Sequence, residues 1–160
     1  MSQDLSQLCV NCGLCCDGTL FRHVKINGQE REELVRLGIG VGEKRGGDVM
    51  WLPCGKLEGK CCTIYSARPG GCRAFVCALG KRVVAKELSV ADAMVHVNEM
   101  QARLNALASV LPPGDGFPLR RARDHIDSTT AEVTQDQLDA FRRVEDQRYE
   151  HFMPPPEGGH

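Results

Sequence analysis

Nine cysteines crowd the stretch from Cys9 to Cys77, and none follows it. Thiols at this density have three fates: disulfides, metal ligation, or burial as inert side chains. Disulfides suit a secreted scaffold, but the start, Met1-Ser2-Gln3-Asp4-Leu5, lacks the basic and apolar regions of a secretory leader. The count is odd, and Cys15-Cys16 and Cys61-Cys62 are sequence neighbours, between which a bridge is strained. Clustered thiols in a reducing compartment favour metal, so the expected location is cytoplasmic. No apolar run approaches the ~20 residues of a membrane-spanning helix, and no membrane association is expected.

The first cluster reads Cys9-Val10-Asn11-Cys12-Gly13-Leu14-Cys15-Cys16. Two Cys-x2-Cys steps in succession would put the thiolates of Cys9, Cys12 and Cys15 on one tight loop, with Gly13 letting the backbone curl around a centre. Three ligands at this pitch are similar to the run that holds a cubane iron–sulfur cluster, whereas zinc more often takes two separated pairs. The second group, Cys54, Cys61, Cys62, Cys72 and Cys77, supplies either a fourth ligand or a second centre. One centre with spectator thiols and two four-thiolate centres are both consistent with the spacing. Successive side chains diverge, so each adjacent pair either divides between centres or contains a spectator.

The run Cys9-x2-Cys12-x2-Cys15-Cys16, then Cys54, then Cys62-Thr63-Ile64-Tyr65-x2-Arg68-Pro69-x2-Cys72-Arg73-x-Phe75-x-Cys77, resembles the CxxCxxCC, or YkgJ-like, cysteine-cluster family. That family is described as zinc- or iron-chelating, and the resemblance covers roughly residues 9–77. It implies Cys9, Cys12, Cys15, Cys16, Cys54, Cys62, Cys72 and Cys77 as metal ligands, with Cys61 as the spare. A similar motif occurs in flagellin lysine methylases, which are longer chains. Arg68 and Arg73 flank the turn before Cys72, where they would neutralise the centre, donate to sulfur or bind an anionic substrate. Tyr65 and Phe75 would cover it from solvent. His23 is a weaker candidate ligand, Asp17 a candidate neighbour, and His96, His125, His151 and His160 carry no motif.

Charge is uneven, a formal +4 over residues 1–85 and −5 over 86–160. Cations near several thiolates would offset their charge, so the split supports metal binding as readily as an anionic partner. With one Trp and two Tyr, there is little aromatic interleaving for single-stranded nucleic acid, and none is expected as a partner. Short strands are expected at 20–26, 49–52 and 62–65, and a helix at 30–37. The glycines from Gly38 to Gly47 follow a helix and so form a loop without a dinucleotide fingerprint. Beyond Lys86 the pattern turns helical. Ser89 opens a helix with an apolar stripe from Val90 to Leu111, and Thr134 with Gln137 opens another over 135–149. Residues 154–160 are expected to be disordered.

The expected class is α+β: a small loop-rich cysteine module over 1–85, packed against a helical segment over 86–153. Its expected cofactor is an iron–sulfur cluster of [4Fe–4S] type, serving electron transfer, redox sensing or assistance to a partner enzyme. A structural Zn2+ protein presenting an interaction surface is the first alternative, and a metal-dependent enzyme the second. A protein or redox partner is expected, and the 90–111 helix offers a face for a homodimer.

Overall fold

The computed structural model describes residues 3–153. The chain forms two compact units: Cys9–Val76 make one, and the described residues before and after them make the other. The α+β class expected from the sequence holds. The tail from Pro154, expected to be disordered, and His160 with it, lie outside the described residues.

The cysteine unit is built on a three-stranded antiparallel sheet of β1 (His23–Lys25), β2 (Val41–Lys44) and β3 (Gly47–Trp51), in the order β1-β3-β2. His23 pairs with Trp51 and Val41 with Met50. The glycine-rich stretch expected to be a loop therefore contributes a strand. Gly42 is needed there because a Cβ would meet the Trp51 indole Nε1 at 2.5 Å, so the ring lies directly on the glycine backbone. A helix, α2 (Gly28–Arg36), packs on the sheet. Its start is a capping box: the Asn27 side chain accepts from the Glu30 N–H at 2.9 Å, and the Glu30 carboxylate accepts from the Asn27 N–H at 2.9 Å. Leu34, Ile39, Met50, Leu52 and Cys54 form the buried core, with Val24, Ile64 and Cys72 packed against it. A two-stranded hairpin, β4 (Leu57–Glu58) and β5 (Cys61–Cys62), turns over Gly59 and Lys60, with Gly59 at a φ of 61°. A 3-10 turn (Tyr65–Ala67) and the short helix α3 (Gly70–Ala74) complete the unit.

The helical unit has its own core. Helix α4 (Ala78–Val84) precedes the 21-residue α5 (Val90–Val110), α6 (Pro118–Ile126) and α7 (Gln135–Gln147), and a π-turn covers Arg148–Phe152. The first helix of the chain, α1 (Gln3–Cys12), starts here with Leu5 and Leu8 buried. The α5 stripe is internal to this unit, with Ala93, Val97, Met100, Leu104 and Leu107 buried and α6 and α7 as its neighbours. Both expected caps form: the Ser89 side chain accepts from the Asp92 N–H, and Thr134 and Gln137 make a reciprocal box. Gln137 is buried and also donates to the Val110 carbonyl at 2.9 Å. Glu145 accepts from Arg123 and forms an ion pair with Arg148 at 3.4 Å, joining α6, α7 and the π-turn through one carboxylate. No helix among the described residues is long and apolar enough to cross a membrane.

Candidate metal centre

The first cysteine run is half helix. Its Cys-x2-Cys step falls at i, i+3 on the last turn of α1, so Cys9 and Cys12 share a helix face instead of a loop. Gly13 ends the helix at a φ of +72°, which only glycine adopts without strain, and the Cys16 and Asp17 N–H groups donate back to its carbonyl. Cys15 and Cys16 follow in this turn. Asp17, a candidate neighbour of the centre, accepts from the Thr19 N–H at 2.7 Å, and burial raises its pKa.

Three contacts inside the unit bring this run to the second cysteine group. The Cys54 N–H donates to the Cys16 carbonyl at 2.9 Å. A Cβ on Gly13 would sit 3.2 Å from the Lys60 Cα, so the turn after α1 abuts the tip of the β4–β5 hairpin. The Cys61 thiol donates to the Val10 carbonyl at 3.9 Å.

Four thiols then gather. Burial pushes the Cys16 thiol up to about 12, with the charges of Cys62, Cys72 and Cys54 adding to it. Cys72 is pushed up to about 11, by burial first and then by Cys54 and Cys62. The Cys54 thiol is raised by burial, partly offset by the Lys56 N–H, and Cys62 raises it further. Sulfur atoms from Cys16 to Cys72 thus lie within one another's electrostatic reach. Repulsion of this kind is relieved when a bound cation makes the thiolates the stable form.

Each of the four comes from a different piece of structure. Cys16 follows α1, Cys54 follows β3, Cys62 lies on β5 and Cys72 on α3. The short helix α3 is seated by Gly71, whose Cβ would meet Val24 Cγ1 at 2.6 Å and the Lys25 carbonyl at 3.0 Å. It is held at its start by Glu30, whose second oxygen accepts from the Gly70 N–H at 2.6 Å. That bond and the one from Asn27 lower the Glu30 pKa, and the Arg73 charge lowers it further. Glu30 is a positioning residue that the sequence reading missed. The signal was there in Asn27-x2-Glu30, a capping-box pattern just ahead of an apolar run.

The two arginines part company. The Arg68 charge favours the thiolate of Cys72, while its guanidinium stacks 3.6 Å from the Tyr65 ring centroid and its Nε donates to the Tyr65 carbonyl. Arg73 is placed electrostatically beside Glu30. Phe75 packs edge-on against Phe21, with centroids 4.4 Å apart. The His23 ring neighbours Trp51, and burial, then the charges of Lys44 and Lys25, lower its pKa. Cys77 belongs to the helical unit, where it caps α4 by accepting from the Gly80 N–H at 3.3 Å.

The donor set suits a thiophilic metal: all-sulfur sets are the chemistry of zinc and of iron–sulfur clusters, and calcium or magnesium would require oxygen. Among the described residues no three ligand-type side chains already stand grouped for a metal ion. A cysteine sulfur swings between staggered positions about its χ1, so closing such a set requires side-chain torsions on a backbone already in place.

Residues 8–99 match the sequence family CxxCxxCC, described as a "Putative zinc- or iron-chelating domain". The chain belongs to the CxxCxxCC family. The match reaches past the cysteines into the first half of α5, further than the motif resemblance did. Metal binding through its cysteines is thus the coarse function of this CxxCxxCC chain. No curated protein and no solved structure matches it.

Proposed function

We propose that the protein carries an iron–sulfur centre of [4Fe–4S] type, held by cysteine thiolates, and that it serves a redox role toward a protein partner. The observation that supports this most directly is the gathering of Cys16, Cys54, Cys62 and Cys72, four thiols from four separate elements, beside a run of closely pitched cysteines on α1. An iron–sulfur cluster would supply one-electron chemistry there. The protein's own residues would do the rest. Arg68 offsets thiolate charge at Cys72, Phe21 and Phe75 shield the side of α3, and Glu30 fixes the backbone that presents Cys72.

A structural zinc site is the second reading. It is favoured by the position of Cys54 and Cys72 in the hydrophobic cluster itself, where a metal would staple the fold. Anaerobic purification with iron, sulfide and zinc analysis separates the two. The proposal expects a brown protein with matched iron and sulfide and an electron paramagnetic resonance signal on reduction. A colourless protein holding stoichiometric zinc under the same conditions would replace it with the zinc reading.

A further inference from the structure

The two sides of the β1-β3-β2 sheet are made of different residues. Paired strand positions share a face, and successive positions alternate between faces. The pairs His23–Trp51, Lys25–Val49, Gly42–Val49 and Lys44–Gly47 therefore put Lys25, Lys44, His23, Val49 and Trp51 on one side. Val24, Val41 and Met50 lie on the other, in or against the cluster that also holds Cys54 and Cys72. Glu43 and Asp48 pair with each other on that second side, where Asp48 accepts from Arg31 at 2.6 Å. The strands thus give the first side no carboxylate.

On the first side Val49 is buried, while Lys25, Lys44 and Trp51 are exposed, the indole at 40%. The Lys44 ammonium stands 6.0 Å from the Trp51 ring centroid. Neither lysine has a carboxylate partner among the described residues. The His23 ring registers both charges, since after burial it is Lys44 and Lys25 that lower its pKa. Arg22 and Arg45, exposed as well, adjoin β1 and β2 in the chain. An exposed indole beside unpaired cations combines an aromatic anchor with a rim that steers an oppositely charged partner.

We propose that this sheet face docks an acidic surface of a partner protein. The inference rests on the reading that the protein serves a protein partner, and it names that partner's chemistry. Charge complementarity selects the occupant: like charges without a counter-charge repel one another, and incoming carboxylates relieve that. Met50, on the opposite side of β3, belongs to the cluster of Cys54 and Cys72, so a docked partner stands one sheet layer from those thiols. Nucleic acid fits the face less well, because one indole supplies no succession of stacking platforms. The competing account is that the Lys44 stem only covers Trp51 and the face stays solvated.

The full-length protein is titrated calorimetrically in low salt with a poly-glutamate peptide and, separately, with oligothymidylate. Three forms are compared: wild type, Lys25→Glu/Lys44→Glu, and Arg36→Glu/Arg143→Glu, which makes the same change in charge elsewhere on the surface. Acetylation of the wild-type lysines with and without peptide, read by mass spectrometry, follows the face without any substitution. Iron, sulfide and zinc are counted in every sample. The expected result is that the sheet-face variant binds peptide about tenfold more weakly than wild type or worse, while the control stays within about twofold. The peptide should also protect Lys25 and Lys44 from acetylation. Equal weakening in both variants, or acetylation that the peptide leaves unchanged, would overturn the inference. Tighter binding of oligothymidylate than of peptide would overturn it by assigning the face to nucleic acid. Wild-type self-association in sedimentation, abolished in the sheet-face variant, would overturn it in favour of a second copy. Iron and sulfide present without peptide binding would sink the docking face alone. Stoichiometric zinc with the expected binding would sink the redox role and leave the face standing.

Discussion

The helical unit and the cysteine unit are filled with different material. In the first, Leu79, Val97, Met100, Leu107 and Phe152 are completely buried, and an ion network of Arg123, Glu145 and Arg148 locks the last helix to its neighbours. In the second, strands of two to five residues surround a small core in which two of the packed side chains are the thiols of Cys54 and Cys72. Hydrophobic burial is proportional to apolar area removed from water, so the helical unit has its own driving force. The cysteine unit has less, and small domains in that position commonly draw on a metal.

That contrast would break first under metal removal. Stripping the loaded protein anaerobically is expected to release amide protons throughout β1–β3 while α5 and α7 stay protected, since structural thiolate sites supply about 10 kcal/mol or more of folding free energy. Equal loss of protection in both units, followed by hydrogen exchange, would show that the helical unit does not stand on its own core. The next largest effect belongs to the helical unit. Glu145→Ala leaves the buried Arg148 and the half-buried Arg123 without their shared carboxylate, at a cost of about 3 kcal/mol. Denaturant unfolding monitored by circular dichroism reads that loss, and metal content per chain should be unchanged.

A third substitution sharpens the comparison from the other side. Gly71→Ala drives a methyl into Val24 Cγ1 and the Lys25 carbonyl, costing about 1–3 kcal/mol and displacing α3 with Cys72. Metal analysis of the variant should show reduced occupancy while the helical circular dichroism persists. The smallest effect is a pH slope confined to the helical unit. His151 stacks on His96 with centroids 4.1 Å apart, and burial first, then His96 and Arg82, hold it below the ordinary value, against Glu150 and Glu99. Its neutral ring therefore contributes fully above about pH 6.5, and that contribution drains away as pH falls through the lowered folded value. Melting temperatures between pH 7.5 and 5 should fall more steeply for wild type than for His151→Gln.

The helices α2, α5 and α7 were legible because each announces itself by periodicity or a cap. Ser89, Thr134 and the stripe through Met100 and Leu107 are local signals, and local signals survive into the fold. The helical end of α1 was not legible. Three-residue spacing of Cys9 and Cys12 fits a metal loop and a helix face equally, and no apolar period distinguishes them. Strand β2 was hidden by its glycines, whose purpose is visible only when Trp51 lies across Gly42. Helix α4 is capped by a cysteine sulfur, outside the usual set of capping side chains, and α6 by none, although Pro118 at its first turn was a readable start. At the site, the residue types were readable from their spacing, and the family match supports zinc or iron chelation. Which sulfurs meet depends on strand register and on close backbone approaches, and neither is written in spacing.

Trp51 lies three residues ahead of Cys54, close against Gly42, and it is the chain's single tryptophan. Its emission is consequently a private optical channel to the sheet beside the thiols, one to which the helices contribute nothing. Loading or losing a chromophoric cluster nearby would be written in the quenching of that indole, which makes titration of the centre possible without adding a label.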